Sequence, residues 1–345
     1  MGQEEFCNAL RPVEIQNDGS RSEDDPMTAA ETSQCRALIM KAQWRAIQTA
    51  PQFAARVGMA ASTMSNNKLS NLREANAIMR EMRRTAKEDL VFHNFNFGRE
   101  KKLEYFDLVL AHWGDAGHNN RPTGGSTGGF ISGISTPHIL TGQESLVSLI
   151  DWRSWKLKRP ARGTNSSESQ GISEAEDKGW RARLFFAILY GHELKRGQAD
   201  KLTSLFISLV IMDSRGCFDL LASNESLAMS MGDSRSGIDL LHVQHGTQDG
   251  TNSYLTWVPS DLNLANSLTK ASNEAYREMR LFNTRKSWVV RFNSEFVSAR
   301  KAQRLRTQKT KEEKNQNLHL CSVPEDWYDD AWTAMFTGDQ SPYQR

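Results

Sequence analysis

Tyr105-Phe106-Asp107-Leu108-Val109-Leu110-Ala111, then Asp115, then Gly124-Gly125-Ser126-Thr127-Gly128-Gly129 ahead of Phe130, is the stretch from which the fold can be read. Residues 105–111 are short, rich in β-formers and bounded by turn residues, which predicts a strand. The glycine run punctuates the chain as a hairpin turn does, and 130–134 is expected to be the next strand. A phosphate-cradling loop is the weaker reading of those glycines, because no Gly-Lys-Ser/Thr follows.

Working outward, a third strand is expected over about 145–152. A helix should follow from 167 to about 194, carrying Ile172, Ala175, Trp180, Leu184 and Ile188. Residues 205–212 form an unbroken apolar run, suited to a strand buried on both faces. Helical stretches at 216–222 and 234–245, a fifth strand at 254–258 and a helix over 261–269 complete the series. Three strands, a helix, a strand, helices, a strand and a helix define an α/β domain with a mixed sheet.

Upstream, residues 13–34 are polar and acidic and read as a flexible approach. Thr28 or Ser33 could cap a helix beginning near Gln34, in which Leu38, Ile39, Ala42 and Ala46 keep helical spacing. A second helix is expected over 67–85, with Leu69, Leu72, Ala75, Ile78, Met79 and Met82 on one stripe. That stripe is read as a packing face, and Arg80, Arg83 and Arg84 as solvated surface.

The net charge of +2 is too small to imply a nucleic-acid partner by itself. The four cysteines, Cys7, Cys35, Cys217 and Cys321, stand far apart, which argues against a zinc ribbon or a disulfide framework. The first residues carry two acids and no apolar run, so no signal peptide is expected. No apolar stretch approaches the ~20 residues that cross a bilayer. These features lead to the expectation of an intracellular protein, cytoplasmic or nuclear, with no membrane partner.

Asp115 follows the first predicted strand, Glu168 opens the long helix, Asp213 ends the buried strand and Asn266 lies on the last helix. If strands one and four are neighbours, Asp115 and Asp213 meet at their C-terminal ends, where open α/β sheets place ligands. Carboxylates converging there repel one another unless a cation neutralises them, and hard oxygen ligands select Mg²⁺ or Mn²⁺. Two such ions can activate a water and stabilise a leaving oxygen in phosphodiester cleavage. Spacing alone leaves plainer readings open. Asp115 could simply terminate a strand, Glu168 could favour a helix dipole, and Asp213 could cap the helix after it.

The local words bear on that choice. The segments Asp115-Ala116-Gly117-His118-Asn119-Asn120-Arg121-Pro122, Asp151-Trp152-Arg153-Ser154-Trp155-Lys156, Ser167-Glu168-Ser169-Gln170-Gly171, Asp213-Ser214-Arg215 with Phe218-Asp219, and Trp257-Val258-Pro259-Ser260-Asp261 continuing to Leu268-Thr269-Lys270 occur in this order. Together they resemble the ribonuclease H region of copia-type LTR retrotransposon Pol polyproteins. Cys35 to Pro51 and Leu72-Arg73-Glu74-Ala75-Asn76 resemble the end of the same family's reverse transcriptase, and Phe296 to Lys301 a word further downstream. The resemblance covers about residues 35–301.

That resemblance implies a ribonuclease H-like five-stranded mixed sheet flanked by helices, preceded by a mostly helical segment. It implies cleavage of the RNA strand of RNA–DNA hybrids with two Mg²⁺ (or Mn²⁺) ions. Asp115 and Asp213 would hold or bridge the ions, Glu168 would bind one and help orient the water, and Asn266 would complete the site weakly. Hybrids would be gripped through backbone and groove shape rather than base sequence. The resemblance divides off a reverse-transcriptase thumb or connection remnant, 35–102, and a ribonuclease H-like domain, 103–275; composition adds a flexible segment 1–34, a basic extension 276–320 and an acidic aromatic tail 321–345. The remainder of a Pol polyprotein is the implied partner.

Where the family pattern has Asp, this chain has Asn266, which loses the charge; no polymerase acids are present. Tyr328-Asp329-Asp330 lies in the acidic tail without flanking strands and is not read as a polymerase turn. The rival reading is therefore a non-catalytic nucleic-acid-binding remnant. Arg153, Lys156, Lys158, Arg159 and Arg162 gather positive charge before Glu168 and are the expected nucleic-acid contacts, with a solvated face as the plain alternative. His242 and His245 stand three apart as a possible metal pair, but no third ligand is nearby in sequence and surface histidines are the better reading.

Overall fold

The segment read from sequence as a flexible approach is built into the fold, and Thr28 within it caps a helix. In the computed structural model, residues 3–95, 107–222, 233–248 and 250–292 are described, all within one compact unit, Met1–Ser294. Helix α1 spans Gln3–Ala9, and Val13 and Asn76 exchange backbone–amide hydrogen bonds of 2.9 Å in each direction. Arg21 pairs with the buried Glu31 at 2.8 Å. Residues 3–34 are thus fastened to the helices that follow, because their few apolar residues, Cys7, Leu10, Val13 and Met27, find buried places.

Helix α2, Ala29–Gln48, starts at Thr28 through a capping box. The Thr28 hydroxyl accepts from the Glu31 amide at 3.2 Å, and the Glu31 carboxylate accepts from the Thr28 amide at 2.7 Å. Helices α3, Ala54–Ser62, and α4, Leu69–Arg84, pack on it. The α4 stripe from Leu69 to Met82 is buried, and Arg80, Arg83 and Arg84 face solvent. The wholly buried Arg45 donates to the carbonyls of Met82 and Thr85, satisfying the open C-terminal end of α4.

The sheet is mixed and six-stranded, in the order β5-β4-β1-β2-β3-β6. Its strands are β1 Val109–Gly117, β2 Thr127–Ser135, β3 Ser145–Lys156, β4 Ile207–Met212, β5 Ser253–Trp257 and β6 Ser287–Trp288. Strand β1 runs antiparallel to β2 and parallel to β4. The sixth strand, absent from the sequence-based count, is a two-residue addition to the start of β3. Such a short pairing has no periodicity to read.

Strand β1 begins and ends later than 105–111; residues 105 and 106 lie outside those described. It continues through His112, Gly114 and Asp115, residues with little strand preference, because all nine of its positions are buried between the packed layers. Strand β2 likewise includes Gly128 and Gly129, which the sequence placed in the turn. A Cβ on Gly128 would lie 2.5 Å from the Trp155 ring, and one on Gly129 would lie 2.8 Å from Leu268. These glycines serve close approach across the sheet; Gly124 and Gly125, with positive φ, make the turn.

Helix α5, Thr164–Leu189, crosses β1 and β2. It is followed by α6 Ala199–Thr203, α7 Arg215–Leu221 and α8 Ser234–Gly246. The expected helix over 261–269 is broken into a 3-10 turn, Ser260–Leu262, and the short α9, Asn266–Thr269. The segment from 276, expected as a basic extension, opens inside helix α10, Asn273–Arg285. This helix bridges the two parts of the body: the Tyr276 hydroxyl donates to Glu81, and Arg280 pairs with Glu88. The tail 321–345, Phe296 to Lys301 and Tyr328-Asp329-Asp330 lie outside the described residues.

Candidate metal centre

The parallel pairing of β1 with β4 matches Trp113 to Ile211. Two residues further along that register, Asp115 stands beside Asp213. Asp115 lies inside β1 rather than after it and is 2% exposed. Asp213 follows the last residue of β4. Glu168 comes from the second turn of α5, and its carboxylate accepts from the Ala116 amide at 3.2 Å. One carboxylate oxygen of each of Asp115, Glu168 and Asp213 lies within 4.8 Å of the others. Among the described residues this is the one group of three or more His, Cys, Asp or Glu side chains close enough to share an ion.

Close helix–strand contact makes the convergence possible. A Cβ on Gly171 would fall 2.5 Å from the carbonyl oxygen of Asp115, and one on Gly114 would fall 3.0 Å from the Ala175 side chain. Bare backbone at both places lets α5 settle against β1 and brings Glu168 over the strand end. Sequence reading included Gly171 in a motif but gave it no role.

Each carboxylate is held by donors. Ser260 donates its hydroxyl to Asp213 at 2.6 Å, and Asn263 donates its amide to the other oxygen at 3.0 Å. The Asn263 amide also donates to the Gly114 carbonyl at 3.0 Å, tying β1 to the same turn. The Trp257 indole donates to the Asp213 backbone carbonyl at 2.9 Å. Thr269 donates its hydroxyl to Asp115. Sequence reasoning gave Ser260, Asn263 and Thr269 no role, although Ser260 and Thr269 lie in a quoted motif.

Burial pushes the Asp115 carboxyl up to about 7, helped by the negative charge of Asp213. Burial, then the charges of Asp115 and Asp213, raises Glu168 well above the carboxylate range. Such a cluster favours protons or a cation over three bare charges. It could hold a metal ion through hard oxygen ligands.

Asn266 is buried nearby, but its expected ligand oxygen is engaged. The Lys270 ammonium donates to the Asn266 side-chain oxygen, and the Asn266 amide donates to the Ser260 carbonyl. The amide group thus braces the turn around Asp213 instead of offering an open oxygen.

The five expected nucleic-acid contacts lie along the end of β3 and the loop that leads to α5. Arg153 lies opposite Phe130 on the α5 side of β3, with its guanidinium 5.8 Å from the Trp155 ring centre. Lys156 lies beside the Gly125 turn. Arg159 is ion-paired with Asp239 of α8. Lys158 and Arg162 are exposed. His242 Nε2 lies 3.0 Å from the carboxylate of the buried Glu176, and His242 belongs to no three-ligand group among the described residues.

No family model and no curated protein sequence matches the chain. Among solved structures, a foamy viral protease-reverse transcriptase in complex with RNA/DNA hybrid gives a TM-score of 0.29 at 9% identity, over 59% of this chain and 26% of its own. The native prototype foamy virus protease-reverse transcriptase gives 0.28 at 13%, over 63% and 28%. The chain thus spans little more than a quarter of either, and likenesses this weak assign neither fold nor activity. No described helix is long and apolar enough to cross a membrane.

Proposed function

We propose that this chain is a retroelement-derived ribonuclease H-like protein that cleaves the RNA strand of RNA–DNA hybrids with Mg²⁺ or Mn²⁺. The observation that carries this reading is the meeting of Asp115, Glu168 and Asp213 within 4.8 Å from three remote parts of the chain. These are the acids that the copia-type motifs single out. The parallel β1–β4 pair and α5 across the strand ends suit the ribonuclease H-like fold implied by those motifs.

Asp115, Glu168 and Asp213 would hold the divalent cation, which when bound supplies Lewis acidity to a water and to the scissile phosphate. Ser260 and Asn263 fix the orientation of Asp213, Thr269 fixes Asp115, and the Ala116 amide fixes Glu168. Such outer partners hold ligand geometry and tune affinity. Exposed Arg153, Lys156, Lys158 and Arg162 would contact phosphates, with Arg159 retained by α8. The helices α1 to α4 would be the reverse-transcriptase thumb or connection remnant, holding duplex without polymerising.

A second reading, binding of hybrid without cleavage, is favoured by the seating of the Lys270 ammonium on Asn266. Labelled hybrid, RNA duplex and single-stranded RNA incubated with the purified chain and Mg²⁺ separate the two. The catalytic reading predicts cuts confined to RNA paired with DNA. Hybrid retention without cuts at any Mg²⁺ or Mn²⁺ concentration would establish the second reading instead.

A further inference from the structure

The family motif requires a fourth acid at the position of Asn266, and the residues found there do not fit a second cation. The lysine is part of the motif; the amide is this chain's departure. Asn266 has one side-chain oxygen, and Lys270 already donates to it. The Asn266 amide is directed to the Ser260 carbonyl, so exchanging its oxygen and nitrogen would set an acceptor against an acceptor and a donor against a donor. The Asp115 oxygen nearest α9 accepts from Thr269. The ammonium of Lys270 also acts attractively on the ionised forms of Asp115 and Glu168.

Charge leads to the same result. Three carboxylates bring three negative charges and Lys270 brings one positive, a balance that one divalent ion cancels. A second ion would leave the group with a net positive charge beside an ammonium. Like charges a few ångströms apart in a partly buried site repel one another far more strongly than in bulk water.

Building on the metal-site reading above, we infer that the centre binds one divalent cation, among Asp115, Glu168 and Asp213, and that the Asn266–Lys270 pair occupies the side where a second cation would sit. Lys270 is a positioning residue in this arrangement, acting through charge on the acids and through its bond to Asn266. In the proposed reaction its bond to Asn266 keeps a positive charge beside the three acids.

The test is Mn²⁺ stoichiometry on the full chain, by equilibrium titration with electron paramagnetic resonance to report ion pairs. The parent chain should take up one Mn²⁺ into the millimolar range and show no spin-coupled signal. Lys270→Arg should do the same, whereas Asn266→Asp combined with Lys270→Met should bind two and develop the coupled signal. Circular dichroism of each variant verifies that it is folded. Two coupled ions in the parent would overturn this inference and leave the proposed function standing. No specific Mn²⁺ in the parent would overturn both. A folded double variant that stays at one ion would show that Asn266 and Lys270 are not what excludes the second.

Discussion

Asp115 carries a cost that only its site can relieve. Its carboxyl titrates near 7 in the folded chain against about 3.9 when unfolded. Between those values the folded state holds more protons than the unfolded one, so metal-free stability falls as pH rises from about 4 to about 7 and then levels off. Melting curves of metal-free protein should therefore show Tm declining through that window from this group. Asp115→Asn should melt above the parent at pH 8 and lose that advantage near pH 4. Divalent cation should restore the parent at pH 8 and leave Asp115→Asn almost unmoved. At this scale the sequence was informative, because acids that must meet at strand ends are of a recognisable type and order. It was silent on Ser260, Asn263 and Thr269, whose donor roles exist only once the turn before α9 is folded.

The position of α5 decides whether Glu168 reaches the strand ends. Gly171→Ala would put a methyl 2.5 Å from the Asp115 carbonyl, and backbone cannot yield as a flexible side-chain tip can. The helix must lift, so metal affinity should fall by about 10–100-fold, the scale seen when supporting partners are lost. Isothermal titration would read it, with Gly163→Ala, where a Cβ meets nothing within 4 Å, as the control. Thr28→Ala removes one half of the α2 capping box and should cost about 1 kcal/mol in denaturant unfolding. Periodicity made α2, α4 and α5 legible, and an unbroken apolar run did the same for β4. Sequence pattern found β1 and β2 but not their bounds, because burial and close approach override the preferences of His112, Gly128 and Gly129. The helix read across 261–269 is broken because Asn263 takes an extended backbone and turns its amide to Gly114 and Asp213.

In the described body, helices α2 and α3 meet the mixed sheet directly and α10 ties back to α4, with Asp115 and Asp213 at adjoining ends of β1 and β4. Composition could not reveal that union: the contacts of Trp152 with the Ala46 carbonyl at 2.8 Å and of Arg121 with the Gly58 carbonyl at 2.9 Å link residues remote in sequence. If Lys156, Lys158 and Arg162 meet phosphates, hybrid affinity should weaken steeply with salt. Replacing all three by Ala should flatten the log–log slope by about 0.7–0.9 per lost contact; an unchanged slope would make them merely solvated. The central claim, that Asp115, Glu168 and Asp213 form one metal-dependent hydrolytic site, is tested most directly by hybrid cleavage in the parent and in Asp213→Asn, with Mg²⁺ and with chelator. The prediction is RNA-strand cleavage by the parent with Mg²⁺, abolished by chelator and reduced by at least about a hundredfold in the folded variant. Equal cleavage by both proteins, or cleavage that survives chelation, would contradict it.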